Sequence, residues 1–497
     1  MPIETALKTG KIVEGTICYT GDITDPNETK YTLDYYVKKA KELESLGVHI
    51  FTIKDMAGLV KPYAAKKLIS ALKEELNIPV NLHTHDSTGN GVSTLLMASE
   101  AGLDIADCAI GSMSSMTSNP CMNSLVEALK GTERDTGLNP DELTELSQYY
   151  ARIRPIYKQF ESGMDAPNTE IYKYEIPGGQ YSNLLAQVKE MGAAEDFEEI
   201  KGLYKDANQL LGNIVKVTPS SKVVGDFAIF MFKNGLTKEN ILEVGKDLSY
   251  PDSVVEYFEG MIGQPEGGFP EELQKIVLKD KKPIDVRPGS LLPDEDFDYI
   301  AKGLKENFYT ENMEDPDILS QKTLSYALYP KVYEDYCRHF EAYNDVTGLE
   351  SHVYFYGLRK GEETTLKLDE GKYLIIKFID MTEPDEDGYR LLDFEVNGSI
   401  REIKVLDKNL EVKTDRRVKA DKSNPAHLGS TIPGTVGKVL VNEGDEVTVN
   451  MPLMTVEAMK METTVVSTVN GKVDKIYVKE GEQVNQEDLL ISFEIDE

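Results

Sequence analysis

Residues 48–58 read VHIFTIKDMAG, and how that stretch divides decides the fold around it. Six residues rich in β-branched and aromatic side chains, VHIFTI (48–53), are too few for a helix and suit a buried strand. Lys54 and Asp55 then place two charges at its C-terminal end. Upstream, residues 31–46 predict a helix. Leu33, Tyr36, Val37, Ala40, Leu43 and Leu46 fall on one face, and Gly47 stops it. Before that, IVEGTICY (12–19) predicts another buried strand. Downstream, a helix over 64–76 follows Pro62 and a strand over 80–85 follows Pro79. A helix over 91–101 ends at Gly102, and a strand over 104–110 closes the series. Strands alternating with helices make βαβ units and a parallel sheet.

Polar residues gather where each strand ends: Tyr19, Thr20 and Asp22; Lys54 and Asp55; His83, His85 and Asp86; Ser112, Ser114 and Thr117. In a βα barrel that edge carries the chemistry, although only four βα strands are legible where a closed barrel has eight. His83 and His85 are two apart on a strand, so both side chains point to one face. Two such imidazoles can bind a divalent metal. They can equally be core histidines satisfied by hydrogen bonds, and the residues leave both readings open. Lys54 ends an apolar run, where an ammonium must be paired or lose its proton. It can be salt-bridged to a neighbour such as Asp55. It can be a Schiff-base nucleophile. Or, neutral, it can take up carbon dioxide as a carbamate, a carboxylate-like metal ligand.

The 497-residue chain carries a formal net charge of -32. Such a chain binds neither nucleic acid nor an anionic membrane without a concentrated basic patch, and the sequence has none. No apolar run approaches the ~20 residues of a membrane span, and the N-terminus is not a signal peptide. Cys18, Cys108, Cys121 and Cys337 are scattered without a CxxC pair, so a reduced, cytoplasmic setting is expected.

The remaining chain changes character along its length. Residues 126–320 read as helical, and short strands dominate over 352–407, with Asn397-Gly398 as a hairpin turn. Residues 409–430 read as a polar linker. The end of the chain repeats: PGTVGKVLVNEGDEV (433–447) aligns with NGKVDKIYVKEGEQV (470–484) at an offset of 37. Two similar β halves folding on each other predict a small flattened barrel. TVEAMKMETT (455–464) lies midway, with Lys460 at the hairpin that joins the halves. A surface usually avoids exposing methionines such as Met459 and Met461 beside a lysine. A carrier, in contrast, presents one nucleophilic amine on a tight, exposed turn. The plain alternative is a solvated surface lysine.

EAMKME (457–462) resembles the biotinylation motif of biotinyl carrier domains; lipoyl domains normally show Asp-Lys-Ala at the tip. GTICYTGD (15–22), IKDMAG (53–58), LHTHD (82–86) and MTS (116–118) are similar to the carboxyltransferase domain of the pyruvate carboxylase family. The resemblance continues through EIPGGQYSN (175–183), VTPSSKVVGD (217–226), Gly267-Gly268-Phe269-Pro270, Arg287-Pro288-Gly289 and YPKVY (329–333). It departs at Asp86-Ser87-Thr88-Gly89, where the family usually has Asp-Thr-Ser-Gly, and at Ser115, usually glycine. It implies a multidomain α/β plus β chain. Residues 1–125 would be the second half of a (β/α)8 TIM barrel and 126–320 its helical extension. A small α+β tetramerisation domain (321–412), a linker (413–430) and a flattened β-barrel biotinyl domain (431–497) would follow.

The resemblance also implies roles. Lys54, N-carboxylated, with His83 and His85 would ligate manganese or zinc. Thr218 would shuttle a proton between substrate and biotin, with Ser221 and Lys222 holding the biotin. Read alone, Thr218-Pro219-Ser220-Ser221 is a helix start with a capping hydroxyl. Biotin would be covalent at Lys460, attached by biotin protein ligase. The implied reaction turns pyruvate into oxaloacetate in a homotetramer, with ATP used only in a biotin carboxylase domain that this sequence does not contain. In the family, earlier strands supply an aspartate metal ligand and the groups that contact the ketoacid. The chain alone is therefore expected not to complete the reaction, as a truncated reading of a longer gene or as one subunit. Two other readings share these features: a biotin-dependent oxaloacetate decarboxylase alpha subunit, and a non-catalytic biotinylated carrier fragment.

Overall fold

The computed structural model describes residues 2–161, 163–308, 312–385, 387–407, 418–421, 424–458 and 461–495. It divides into two compact units, residues 1–288 with 417–497, and residues 289–416.

In the first unit, β1 (Glu14–Cys18), β2 (Ile50–Asp55), β3 (Val80–Thr84) and β4 (Ile105–Ala106) form a parallel sheet in chain order. The helices Leu33–Ser45, Pro62–Glu75 and Gly91–Glu100 connect them. Phe51, Ile53, Val80 and Leu82 are fully buried, and so are Tyr36, Ala40, Leu68, Ile69, Leu72, Leu95 and Ala98 on the helices. Each large apolar side chain so buried contributes roughly 1.5–3 kcal/mol, so the periodicity that predicts these helices is the packing that holds them. Two expectations are corrected. Leu46 lies beyond the helix, which ends at Ser45, and is exposed. The strand expected over 104–110 is only Ile105–Ala106. After two pairings with β3 the chain turns away, with Ala109 N bonded to Pro120 O and a 3-10 turn at Gly111–Met113.

A helical segment follows, and its core gathers Leu184, Tyr204, Val224, Phe227 and Phe258. It is tied to the loops at the C-terminal edge of the sheet. Asn168 N donates to Ser87 O (2.9 Å), and the Tyr172 hydroxyl to Thr88 Oγ1 (3.2 Å). Lys30 Nζ donates to Gly212 O (2.7 Å), and the Tyr31 hydroxyl to Asn213 O (2.7 Å).

The second unit holds the helices Phe297–Asn307, Pro316–Leu328 and Pro330–Tyr343 around Leu304, Met313, Tyr333 and Cys337. An antiparallel meander follows, made of β5 (Glu363–Asp369), β6 (Lys372–Met381), β7 (Tyr389–Val396) and β8 (Ser399–Leu406). Val396 pairs with Ser399 across Asn397 (φ 47°) and Gly398 (φ 80°), the expected hairpin turn. The boundary expected at 320/321 is not where the chain divides, because helices on both sides of it share one core. Residues 351–356 are helical, not extended.

Residues 427–495 build two four-stranded sheets on one core of Val436, Leu453, Val456, Val473, Leu490 and Ile491. Their strands are β9 (His427–Gly429), β10 (Gly434–Val439), β11 (Glu446–Val447), β12 (Pro452–Ala458), β13 (Met461–Val466), β14 (Gly471–Ile476), β15 (Gln483–Val484) and β16 (Leu489–Ile495). The sheet orders are β13-β12-β10-β15 and β11-β14-β16-β9. β10, β11 and β12 recur as β14, β15 and β16 at the offset of 37 read from the sequence. The expected linker is corrected at its C-terminal end. β9 pairs with β16 as the end of β13 pairs with β12, and His427–Gly429 lie 37 residues before Thr464–Val466. The repeat therefore starts inside the segment expected to be a linker. Among the described residues no helix is long and apolar enough to cross a membrane, and the four cysteines are free thiols.

Candidate active site

The register of the parallel sheet sets the site. Cys18 on β1 pairs with Lys54 on β2, which pairs with His83 on β3, so the three share one row and one face. Asp55 and Thr84 alternate to the other face and are buried. The Asp55 carboxylate accepts from Leu59 N (2.8 Å), Val60 N (2.9 Å), Ala57 N (3.4 Å) and Thr84 Oγ1 (2.8 Å). Burial pushes its carboxyl group above the usual range, against the pull of those bonds. Asp55 therefore pins the KDMAG loop and is not the partner of Lys54. Gly58 completes that loop at φ 72°, where a Cβ would lie 2.6 Å from the His85 carbonyl oxygen. The Lys54 amine makes no hydrogen bond or ion pair among the described residues, which leaves it available for chemistry.

His83 and His85 lie side by side, with ring centroids 5.3 Å apart. His83 Nδ1 is 2.8 Å from Asp107 Oδ2, and His85 Nδ1 is 2.7 Å from Thr117 O. A carbonyl oxygen only accepts and a carboxylate only accepts, so both Nδ1 atoms carry hydrogen. In the neutral form of each ring Nε2 then keeps a lone pair. Burial holds the His85 imidazole below its ordinary value, against the pull of its bond to the Thr117 carbonyl. Neutral imidazoles whose second nitrogen is tied to a carboxylate or carbonyl have the form of metal ligands. Among the described residues no three His, Cys, Asp or Glu side chains converge, and Lys54, paired in register with His83, is the candidate for a further ligand. The donor set fits that role once the amine is carboxylated.

The helix Ser220–Lys233 begins where the sequence predicts a helix start, but with Pro219 as its cap residue and no capping side chain. The engaged hydroxyl is that of Ser220, which donates to Val215 O and Val217 O (each 2.6 Å). Thr218 is exposed and takes no part in the cap; Ser221 is buried and Lys222 exposed. Thr218 is led to the sheet by Lys216. This lysine, 4% exposed, donates to Glu175 Oε2 (2.7 Å) and Thr20 Oγ1 (3.2 Å) at the end of β1. Sequence reasoning missed both Lys216 and Asp107. Lys216 lies among apolar residues in NIVKV (213–217), a pattern that marks a buried cation. Asp107 was hidden by the overlong strand expectation, since the real strand end puts it on the functional edge. In the C-terminal sheets Ala458 pairs with Met461, with Met459 and Lys460 between them in sequence. Lys460 itself lies outside the described residues.

Comparison with known proteins places the chain among its relatives. A carboxyl transferase domain of Rhizobium etli pyruvate carboxylase, solved with pyruvate and biocytin, superposes with a TM-score of 0.76 at 42% identity. The match covers 82% of this chain and 68% of that one. The chain belongs to the pyruvate carboxylase family. Complete pyruvate carboxylase from the same organism matches 99% of this chain over 45% of its own length, at 40% identity and a TM-score of 0.76. Pyruvate carboxylase of Bacillus subtilis is 48% identical over 99% of this chain, and the mitochondrial enzyme of Mus musculus is 39% identical. The chain spans 42% of the length of each of these curated pyruvate carboxylases. Three family models match in turn: HMGL-like (21–149), a conserved carboxylase domain (171–377) and a biotin-requiring enzyme domain (425–493). The biotin-requiring match begins ahead of β9, in keeping with the corrected start of the repeat.

Proposed function

We propose that this chain carries the carboxyltransferase and biotin-carrier portion of a pyruvate carboxylase and converts pyruvate to oxaloacetate. The observation that carries the reading is the pair of imidazoles with both Nδ1 atoms tied, His83 lying in register with Lys54, whose amine has no hydrogen bond or ion pair among the described residues. In this reading β1 to β4 are half of a (β/α)8 barrel, and the C-terminal sheets are a flattened barrel with biotin joined to Lys460 by biotin protein ligase. Biotin supplies a carboxyl group carried from a biotin carboxylase domain, where ATP is used. His83, His85 and carboxylated Lys54 would hold a divalent manganese or zinc ion, which would supply Lewis-acid charge to the reaction. The Thr218 hydroxyl, donor and acceptor at once, passes the proton of the pyruvate methyl group to the biotin ring nitrogen. Ser221 and Lys222, in the first turn of the same helix, orient the biotin ring. Lys216, Glu175 and Thr20 hold the segment that carries Thr218 against the sheet. The assembled enzyme is a cytoplasmic homotetramer.

The test is a reconstitution. The biotinylated chain is combined with a biotin carboxylase domain and a polypeptide able to continue the four-stranded sheet. ATP, bicarbonate, pyruvate and Mn2+ are added, and oxaloacetate is read by a coupled NADH assay. Pyruvate-dependent, avidin-sensitive oxaloacetate formation is expected. Formation that persists with Lys460→Arg, or that never appears although the corresponding Bacillus subtilis segment restores it, overturns the reading. Running the assay from oxaloacetate measures the reverse direction in the same mixture.

A further inference from the structure

Resting on the reading of His83 and His85 as metal ligands, we propose that Asp107 is a positioning residue for that site. Its carboxylate holds the His83 imidazole in the Nδ1–H tautomer and so keeps Nε2 open for a divalent cation.

Three observations converge on this. Leu82 pairs with Ala106, and Asp107 N donates to Leu82 O (3.2 Å), so the backbone delivers Asp107 beside His83 as β4 ends. Both carboxylate oxygens then face β3: Oδ2 lies 2.8 Å from His83 Nδ1, and Oδ1 accepts from Asn81 Nδ2 at 3.4 Å. Asn81 and His83 are two apart on that strand and share a face. Asn81 is 4% exposed, and its buried Oδ1 has no hydrogen-bond partner among the described residues. Turning the amide over would set its oxygen against a carboxylate oxygen, so the nitrogen faces Asp107 at the expense of an unpaired acceptor. The carboxylate is thereby anchored on one side and bonded to the imidazole on the other. His85 is tied instead to a backbone carbonyl, which no side-chain substitution removes. Of the two rings, His83 is the one whose tautomer depends on a replaceable group.

The tautomer is readable without metal. Full-length chain labelled with 15N-histidine is recorded by long-range 1H–15N correlation at pH 8, and His83 is assigned among the six histidines by its loss in His83→Gln. Wild type should show His83 protonated at Nδ1 only. Asp107→Leu should show a mixture or protonation at Nε2, while Asp107→Asn, whose amide oxygen still accepts, should restore the wild-type pattern. Zn2+ titration of the same proteins should show about 10–100-fold weaker binding for Asp107→Leu and near wild-type binding for Asp107→Asn. His83 remaining Nδ1–H in Asp107→Leu, with an unchanged thermal midpoint, overturns the proposal. So does unchanged Zn2+ affinity in that variant. A wild-type chain that takes up no Zn2+ overturns the metal reading, and the tautomer result then decides the role of Asp107.

Discussion

Asp55 and Asp226, two of the buried carboxylates, serve different ends. Asp55 is fully buried and satisfied by three backbone NH groups and Thr84, so it shapes a loop. Asp226 sits on the helix that follows Thr218, is 4% exposed, and accepts from Ser253 Oγ at 2.6 Å. Burial pushes its carboxyl up to about 6, against the pull of Ser253 and Lys222. A folded value above the ordinary carboxylate value means the folded state holds the proton more tightly. The resulting stability is full below the ordinary value and is lost as pH rises through about 6. The stability of the wild type should therefore fall relative to Asp226→Asn between pH 5 and 7.5, by about 1 kcal/mol, read as a falling thermal midpoint. Parallel curves would show that Asp226 ionises as freely folded as unfolded. Thr218 makes the opposite kind of prediction, because it is exposed and outside the cap. Thr218→Ala should leave the midpoint within about 0.5 kcal/mol and lower pyruvate carboxylation in the reconstituted enzyme by roughly 100-fold or more. Thr218→Ser should keep most of the activity. His83 and His85 were legible because strand alternation puts them on one face. Asp107 was not, because its part depends on where a strand stops, which is decided by pairing with a distant segment.

The strands and helices follow local rules where one face is buried, and depart from them where a partner intervenes. The 37-residue repeat is a case of agreement down to single atoms. A Cβ on Gly434 would lie 2.5 Å from Glu457 O, and one on Gly471 would clash with Glu494 O, the repeat-related carbonyl. Each glycine lets its strand pass close over the neighbouring strand. Gly471→Ala must push β14 from β16, and should destabilise the C-terminal sheets by about 1–3 kcal/mol, read as a lower midpoint for exposure of their amides to hydrogen exchange. Amides of the Phe227 and Phe258 core should be unaffected. β9 escaped notice because three residues carry too little periodicity. Only its pairing with β16 shows that it mirrors the end of β13. The Lys216–Glu175 pair joins the helical segment to β1 through Thr20. Lys216→Met keeps the length and removes the charge, leaving Glu175, 29% exposed, without its partner. A loss of roughly 1–3 kcal/mol is expected, below the range for a fully buried pair because water still reaches Glu175.

For the whole chain, the two chemistries rest on separate cores. The sheet carrying Lys54, His83 and His85 packs around Phe51, Ile53 and Leu82, and the C-terminal sheets around Val436, Val456 and Ile491. Neither cluster includes a residue of the other, so damage to one site should not travel to the other. This much was legible in the sequence, since a βαβ pattern and an internal repeat announce different folds. The division at Pro288 was not, because a core shared by helices on both sides of residue 320 leaves no mark in composition. A crossed experiment tests the independence. Lys460→Arg should abolish labelling by biotin ligase and avidin while leaving Zn2+ uptake and the His83 tautomer as in wild type. His83→Ala with His85→Ala should abolish Zn2+ uptake while biotin is incorporated at the wild-type rate, the outcome expected of a ligase that meets only the C-terminal sheets. Loss of biotinylation in the double histidine variant, with its midpoint unchanged, would show that the ligase reads a surface beyond those sheets and would break the separation drawn from the cores.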